Sequence, residues 1–242
     1  MKEILVVLLA VTMVCIGLNA HANIISTTGA ITKIDPPESV APGSLEHDTV
    51  MHAFNEVQNY TLQETEDISV NITAPGTYDE EADLTPGVIH AGKQVCSHFL
   101  HSDPVGVIQD PDYKAYEGTA TFDQKILGLI VLLNEREGSD NILGAPDTDY
   151  TDPGAMNLRP DHEYIIVSQD MKTITVHTET NLHVDQIRVI TDCTGGVCMA
   201  STAASSLDAN LVYESSDLAK HLAYFLLPIG AVIGLVIWRR KR

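Results

Sequence analysis

The sequence predicts an all-β fold: a two-sheet, jelly-roll-like β-sandwich between an N-terminal signal helix and a C-terminal transmembrane helix. Three observations predict it. Val, Ile, Leu and Thr are plentiful while only 4 Phe and 1 Trp occur among 242 residues, a composition that suits pleated, half-buried surfaces. Short apolar runs recur at close spacing between Pro-, Gly- and Asp-rich turns, the pattern of sandwiches rather than bundles. No stretch of the body has the period of a long amphipathic helix.

The elements follow in order. MKEILVVLLAVTMVCIGLNAHA has a charged start at Lys2, an apolar run and an Ala20-His21-Ala22 site. This is the anatomy of a secretory signal over 1–22, cut between Ala22 and Asn23. Residues 23–45 read as a strand and a loop. Residues 49–60 fit a short helix or a strand, and periodicity does not choose between them. YTL, DISVNI, KQVCSHFLH, EGTATFD, KILGLIVLL, EYIIVS, TITVHT and VDQIRVIT read as strands. In TITVHT, Ile174 and Val176 alternate with polar residues, which makes one face apolar. APGTYD, LTPGV, SDPVG, DPDY, REGSDN, GAPDTDYTDPG and SQDMK read as turns or loops. The sandwich is assigned to 23–198 and a small, polar stalk to 199–220. A membrane anchor or sorting helix covers 221–238, and a basic tail 239–242.

The anchor rests on Leu222–Trp238, an uninterrupted apolar segment that spans roughly 25 Å as a helix. Arg239, Arg240, Lys241 and Arg242 follow it. Such a cluster stops transfer and stays in the cytoplasm, so the body is expected outside. Setting aside Lys2, Glu3 and the four tail cations leaves 9 basic and 32 acidic residues in that body, a formal charge of about −23. So acidic a surface repels nucleic acid. Its expected partners are the membrane, through the C-terminal helix, and extracellular polysaccharide or envelope proteins.

Export removes Cys15 with the leader and places the other three cysteines in an oxidising compartment. Cys193 and Cys198 flank a Gly195-Gly196 turn and are expected to form a disulfide. That leaves Cys96 unpaired. A zinc site would need a fourth ligand and other spacing.

A resemblance adds to this reading. VAPGSLE from Val40, FNEVQNYTL from Phe54, TPG from Thr85, SHFLHSDPVG from Ser97, GTATFDQKILGLI from Gly118, SDNILGAPDTDY from Ser139 and DQIRVIT from Asp185 occur in that order. The chain resembles secreted bacterial surface proteins of the PEP-CTERM and choice-of-anchor type over roughly 36–191. The resemblance implies a β-sandwich exported to the cell surface or matrix; it implies no reaction. The family's Val-Pro-Glu-Pro signature is absent, while the outline of spacer, apolar helix and arginine cluster is kept.

Residues that could carry chemistry are few. His98, His101 and Asp103 form a His-x-x-His-x-Asp string, but on one strand the two histidines face opposite ways. Asp147, Asp149 and Asp152 lie in an Asp-rich loop whose oxygens suit calcium, the one candidate cofactor. The loop lacks the Gly and Glu of an EF-hand. No local signature marks a glycosidase carboxylate pair, a nucleophile elbow, a phosphate loop or a dinucleotide fingerprint. Tyr60, Tyr78, Tyr113, Tyr116, Tyr150 and Tyr164 are the rings left to stack on sugars. The expectation is a surface-anchored, non-enzymatic protein with a structural or adhesive role. A calcium-dependent glycan-binding module is the alternative, and an exported hydrolase comes third.

Overall fold

Thirteen strands, one α-helix and a single 3-10 turn (Glu81–Asp83) are the regular elements of the described part of the computed structural model, which covers residues 22–106, 112–151, 154, 156, 158–180 and 184–193. The chain divides into two units, Met1–Cys198 and Met199–Arg242, and every described residue belongs to the first.

β1 (Ile24–Gly29) and β2 (Ile31–Lys33) are one strand bent sharply at Gly29-Ala30, so that the chain leaves one sheet and joins the other. Gly29 has φ +66°, and a Cβ there would stand 2.4 Å from the Glu117 carbonyl oxygen. Only glycine fits this corner. β3 (Met51–Asn55) resolves the ambiguous 49–60 segment as a strand. β4 (Tyr60–Thr61), β5 (Ile68–Val70), β6 (Gly76–Tyr78) and β7 (Gly87–Ile89) are short; the last two fall in stretches expected to be turns. β8 (Gln94–Ser102), β9 (Lys114–Phe122), β10 (Ile126–Ile130), β11 (Tyr164–Val167), β12 (Thr173–Thr180) and β13 (Asp185–Asp192) fall on strands expected from sequence.

Two sheets face each other. Sheet A has the order β1-β9-β12-β11-β6, and sheet B the order β10-β13-β8-β3-β2 with β4 beside β8; β5 and β7 form a separate pair. All pairings are antiparallel except β2 with β3. Between the sheets, Tyr116, Phe122, Ile165, Ile174 and Val176 of sheet A pack against Met51, Leu100, Ile187 and Val189 of sheet B.

One expectation is corrected. REGSDN is not a loop: it lies inside α1 (Leu133–Leu143). The sequence hid it because Gly138, Ser139, Asp140 and Asn141 are poor helix formers and no side chain caps its start. Tertiary contacts hold it instead. Arg136, Ser139 and Leu143 are buried, and the Asn71 side-chain oxygen accepts the Val131 and Leu132 amides where β10 gives way to the helix. With Leu62, Ile68, Val70, Ile130 and Ile190, Leu143 forms a second apolar cluster. Val40 packs on Phe54 and Phe99, with Ile34, Leu45 and Tyr150 around them. Sheet B is therefore covered on both faces. Among the described residues no helix is long and apolar enough to cross a membrane; 199–242, with Arg239, Arg240, Lys241 and Arg242, lie outside them.

Candidate functional site

The densest polar constellation sits under α1, on the covered face of sheet B. Arg188 of β13 is fully buried. Its Nε and Nη2 donate to Glu56 Oε2 and Oε1, both at 2.7 Å, a bidentate pair. Its Nη1 donates to Ser139 Oγ at 2.6 Å and lies 2.9 Å from Asp140 Oδ1. Glu56 also accepts from Ser97 Oγ at 2.5 Å and Tyr150 Oη at 2.6 Å. The guanidinium lies over the Phe99 and Tyr150 rings at 5.2 and 5.4 Å. Arg136 Nη1 meets Asp140 Oδ1 at 3.1 Å, while its Nε and Nη2 find no hydrogen-bond partner among the described residues.

The electrostatics follow from this geometry. Burial alone would lower the pKa of Arg188; the Glu56 and Asp140 carboxylates outweigh it and hold the guanidinium above its ordinary value. Burial raises Asp140, with Arg188 and Arg136 pulling back. Burial and then Glu56 push the Tyr150 phenol up, so it stays a donor. Two guanidiniums and two carboxylates balance in charge. Every Glu56 oxygen is engaged, which makes the group a clamp rather than a base: it ties the end of β3 to β8, β13, α1 and the loop carrying Tyr150.

The expected metal residues do not converge. Asp147 and Asp149 are exposed. Asp149 accepts the Thr151 amide and hydroxyl, each at 2.9 Å, an Asx-type turn closed on itself. Asp152 lies outside the described residues. Among the described residues no group of three His, Cys, Asp or Glu side chains is placed to hold a metal ion. A cleft of about 480 Å³ between α1 and this loop is lined by Glu137, Asp140, Asp149 and Tyr150.

His98 and His101 point to opposite faces of β8. His98 lies in the interior, 4.9 Å from the Phe122 ring, and bonds Asn55 Oδ1 at 2.8 Å and Thr191 Oγ1 at 3.0 Å. Burial, with a small push from Lys33, lowers its pKa to about 3. His101 meets Gln186 at 3.2 Å on the other face. Asp103 Oδ2 accepts the Gly43 and Leu45 amides and is 3.8 Å from His101 Nε2.

The disulfide is corrected. Cys193 pairs with Cys96, not with Cys198. Antiparallel register sets Val95 opposite Asp192 and Cys96 opposite Thr191, so the residue after β13 reaches Cys96 at a Cα separation of 5.7 Å. Cys198 lies outside the described residues. Ala22 is buried beside this bridge, and the Asn23 amide donates to Asp123 Oδ1 at 2.9 Å.

Of the tyrosines, Tyr78 and Tyr116 are interior and Tyr150 serves Glu56. Tyr60 donates to Glu66. Tyr113 lies under the Arg159 guanidinium. Tyr164 stacks on His177 at 5.1 Å and 14° on the outer face of sheet A. No family model, curated protein or solved structure matches the chain.

Proposed function

We propose that this is an exported, surface-anchored, non-enzymatic protein, a jelly-roll-like sandwich with a structural or adhesive role in the cell envelope or extracellular matrix, of the PEP-CTERM-like kind its motifs resemble. The observation that carries the reading is the Cys96–Cys193 bridge inside an acidic body. Such bonds persist in oxidising compartments. The leader ending at Ala22 and the apolar segment ending in RRKR support the same topology. The self-satisfied Glu56–Arg188 clamp supports a scaffold rather than a reactive centre.

The test is topological. In cells expressing the full chain, an amine-reactive label that cannot cross membranes is expected to modify body lysines such as Lys114, and the chain is expected to fractionate with membranes. Mass spectrometry under non-reducing conditions is expected to find Cys96 joined to Cys193. An unlabelled chain in the soluble cytoplasmic fraction, with both thiols free, would falsify the reading.

A further inference from the structure

We propose that the outer face of sheet A binds a neutral polysaccharide through rows of threonine hydroxyls; this deepens the reading of a displayed surface protein and rests on it. Strand register builds the rows. Thr28, Thr119 and Thr175 stand opposite one another across β1, β9 and β12, and the row runs on through Ile166 to Thr77. One step along the strands, Ser26, Thr121 and Thr173 form a second row. On the other side of the first, Glu117, His177 and Tyr164 form a third. Neighbours within a row are about 4.8 Å apart and rows about 6.8 Å apart along the strands.

The hydroxyls are arranged for a hydroxylated ligand. Thr119 and Thr175 share one hydrogen bond at 3.0 Å, and Thr173 donates to Thr121 at 3.3 Å. Each pair spends one hydroxyl hydrogen internally and keeps one free, with lone pairs to spare. The face therefore offers donors and acceptors together, as sugar hydroxyls do. At its far side a hollow of about 240 Å³ is bounded by Thr77, Tyr164 and Ile166, with Asp79, Asp161 and Glu163 at its margin. Ile166 is 40% exposed, and the Tyr164 ring is fixed by its stack on His177. This combines an apolar platform with acceptors at the rim.

Charge selects the occupant. The body carries about −23, yet Glu117 is the one carboxylate in these rows. Nucleic acid, acidic polysaccharide and anionic lipid are repelled by the surrounding acid. A second copy of the chain carries the same charge. A polycation is drawn to Asp79 and Asp161 at the margin of the hollow rather than to the hydroxyl rows. Among the described residues an apolar protein face finds little here: Ile166 with the Tyr164 ring and, at the β1 bulge, Ile25. A neutral polymer rich in hydroxyls is what remains.

The experiment uses the full chain in mild detergent, with cellulose and chitin as insoluble probes, dextran in gel retardation and alginate as the anionic control. Retention by at least one neutral polymer, none by alginate and no change with chelator are expected. The double substitution Thr119→Ala and Thr175→Ala is expected to weaken retention at least about 10-fold, while Glu137→Gln with Asp149→Asn leaves it unchanged. Thermal unfolding checks that each variant is folded, and Tyr164→Ala replaces the double variant if that one is not. Absence of retention by every neutral probe overturns the ligand class; the labelling test of surface display is independent and would stand. Retention that survives both face substitutions, or that a chelator abolishes, moves binding off this face and overturns the assignment.

Discussion

β12 and β13 have eight residues each and follow one another in the chain, yet they live in opposite settings. β12 buries every second side chain; β13 buries seven of its eight. The difference lies in what covers each sheet. Sheet A turns one face to the surface, so Thr173 and Thr175 of β12 stand there beside Thr121 and Thr119 and bond to them. Sheet B lies under α1 and two loops, so the polar groups of β13 must find partners inside. Arg188 finds Glu56, Ser139 and Asp140. Gln186 finds the Val40 carbonyl and the Gly154 amide. A covered face makes each polar side chain a structural commitment; an open face leaves it available to a partner.

The sharpest way to break this contrast is Arg188→Ala. It strands Glu56 in the interior, and loss of one partner of a buried pair costs about 3–5 kcal/mol. Urea unfolding is expected to show a loss of that size, and a shift below about 1 kcal/mol would mean water reaches the clamp. Replacing Cys96 by Ser follows. Removing a native disulfide typically costs about 2–5 kcal/mol, with residues 97 apart in sequence released in the unfolded chain. Tyr150→Phe, which takes one donor from Glu56 and an acceptor from the Ala145 amide, is expected to cost about 1–3 kcal/mol. On the open face, Thr175→Ala is expected to change stability by no more than about 0.5 kcal/mol. A larger loss there would show that the threonine rows hold the sheet together.

Between the sheets, two groups make stability depend on pH. Burial pushes the Asp185 carboxyl up to about 8, against the pull of the Thr178 hydroxyl that donates to it. The folded state keeps a proton that the unfolded chain releases near pH 4. Stability from Asp185 is therefore full below about pH 4 and declines as pH rises to about 8. His98, lowered to about 3, works the other way: the unfolded chain takes up a proton near 6.5, so its contribution grows from pH 3 to 6.5. The two oppose each other from about 4 to 6.5, and above that Asp185 alone of the pair acts. Urea midpoints are expected to fall between pH 6.5 and 8, and Asp185→Asn to flatten that fall. An unchanged slope in the variant would assign the dependence elsewhere.

How much of this could be read beforehand depended on which forces were local. TITVHT showed its alternation because one face of β12 meets water. DQIRVIT showed a strand but not its setting: an arginine in an apolar run is ambiguous until Glu56, 132 residues away, is seen beside it. The α1 helix was hidden because its composition opposes it and only tertiary contacts, with β5 and with sheet B, sustain it. The short Cys193–Cys198 spacing and its glycines suggested a local bridge, whereas strand register decided the partner. Cys96, the thiol left over, was the clue to the true pairing. The open threonine face was visible only as single strands; that β9 and β12 lie side by side is a fact of topology.

The bridge also decides how the sandwich carries load. A pull on the chain beyond Cys193 arrives at the very end of β13, whose ladder to β8 and β10 would otherwise open one hydrogen-bonded pair at a time. The bond to Cys96 passes that tension sideways into β8, the long strand that β3, β4 and β13 all grip. With the bond in place, β13 cannot be opened from that end without loading β8 as well.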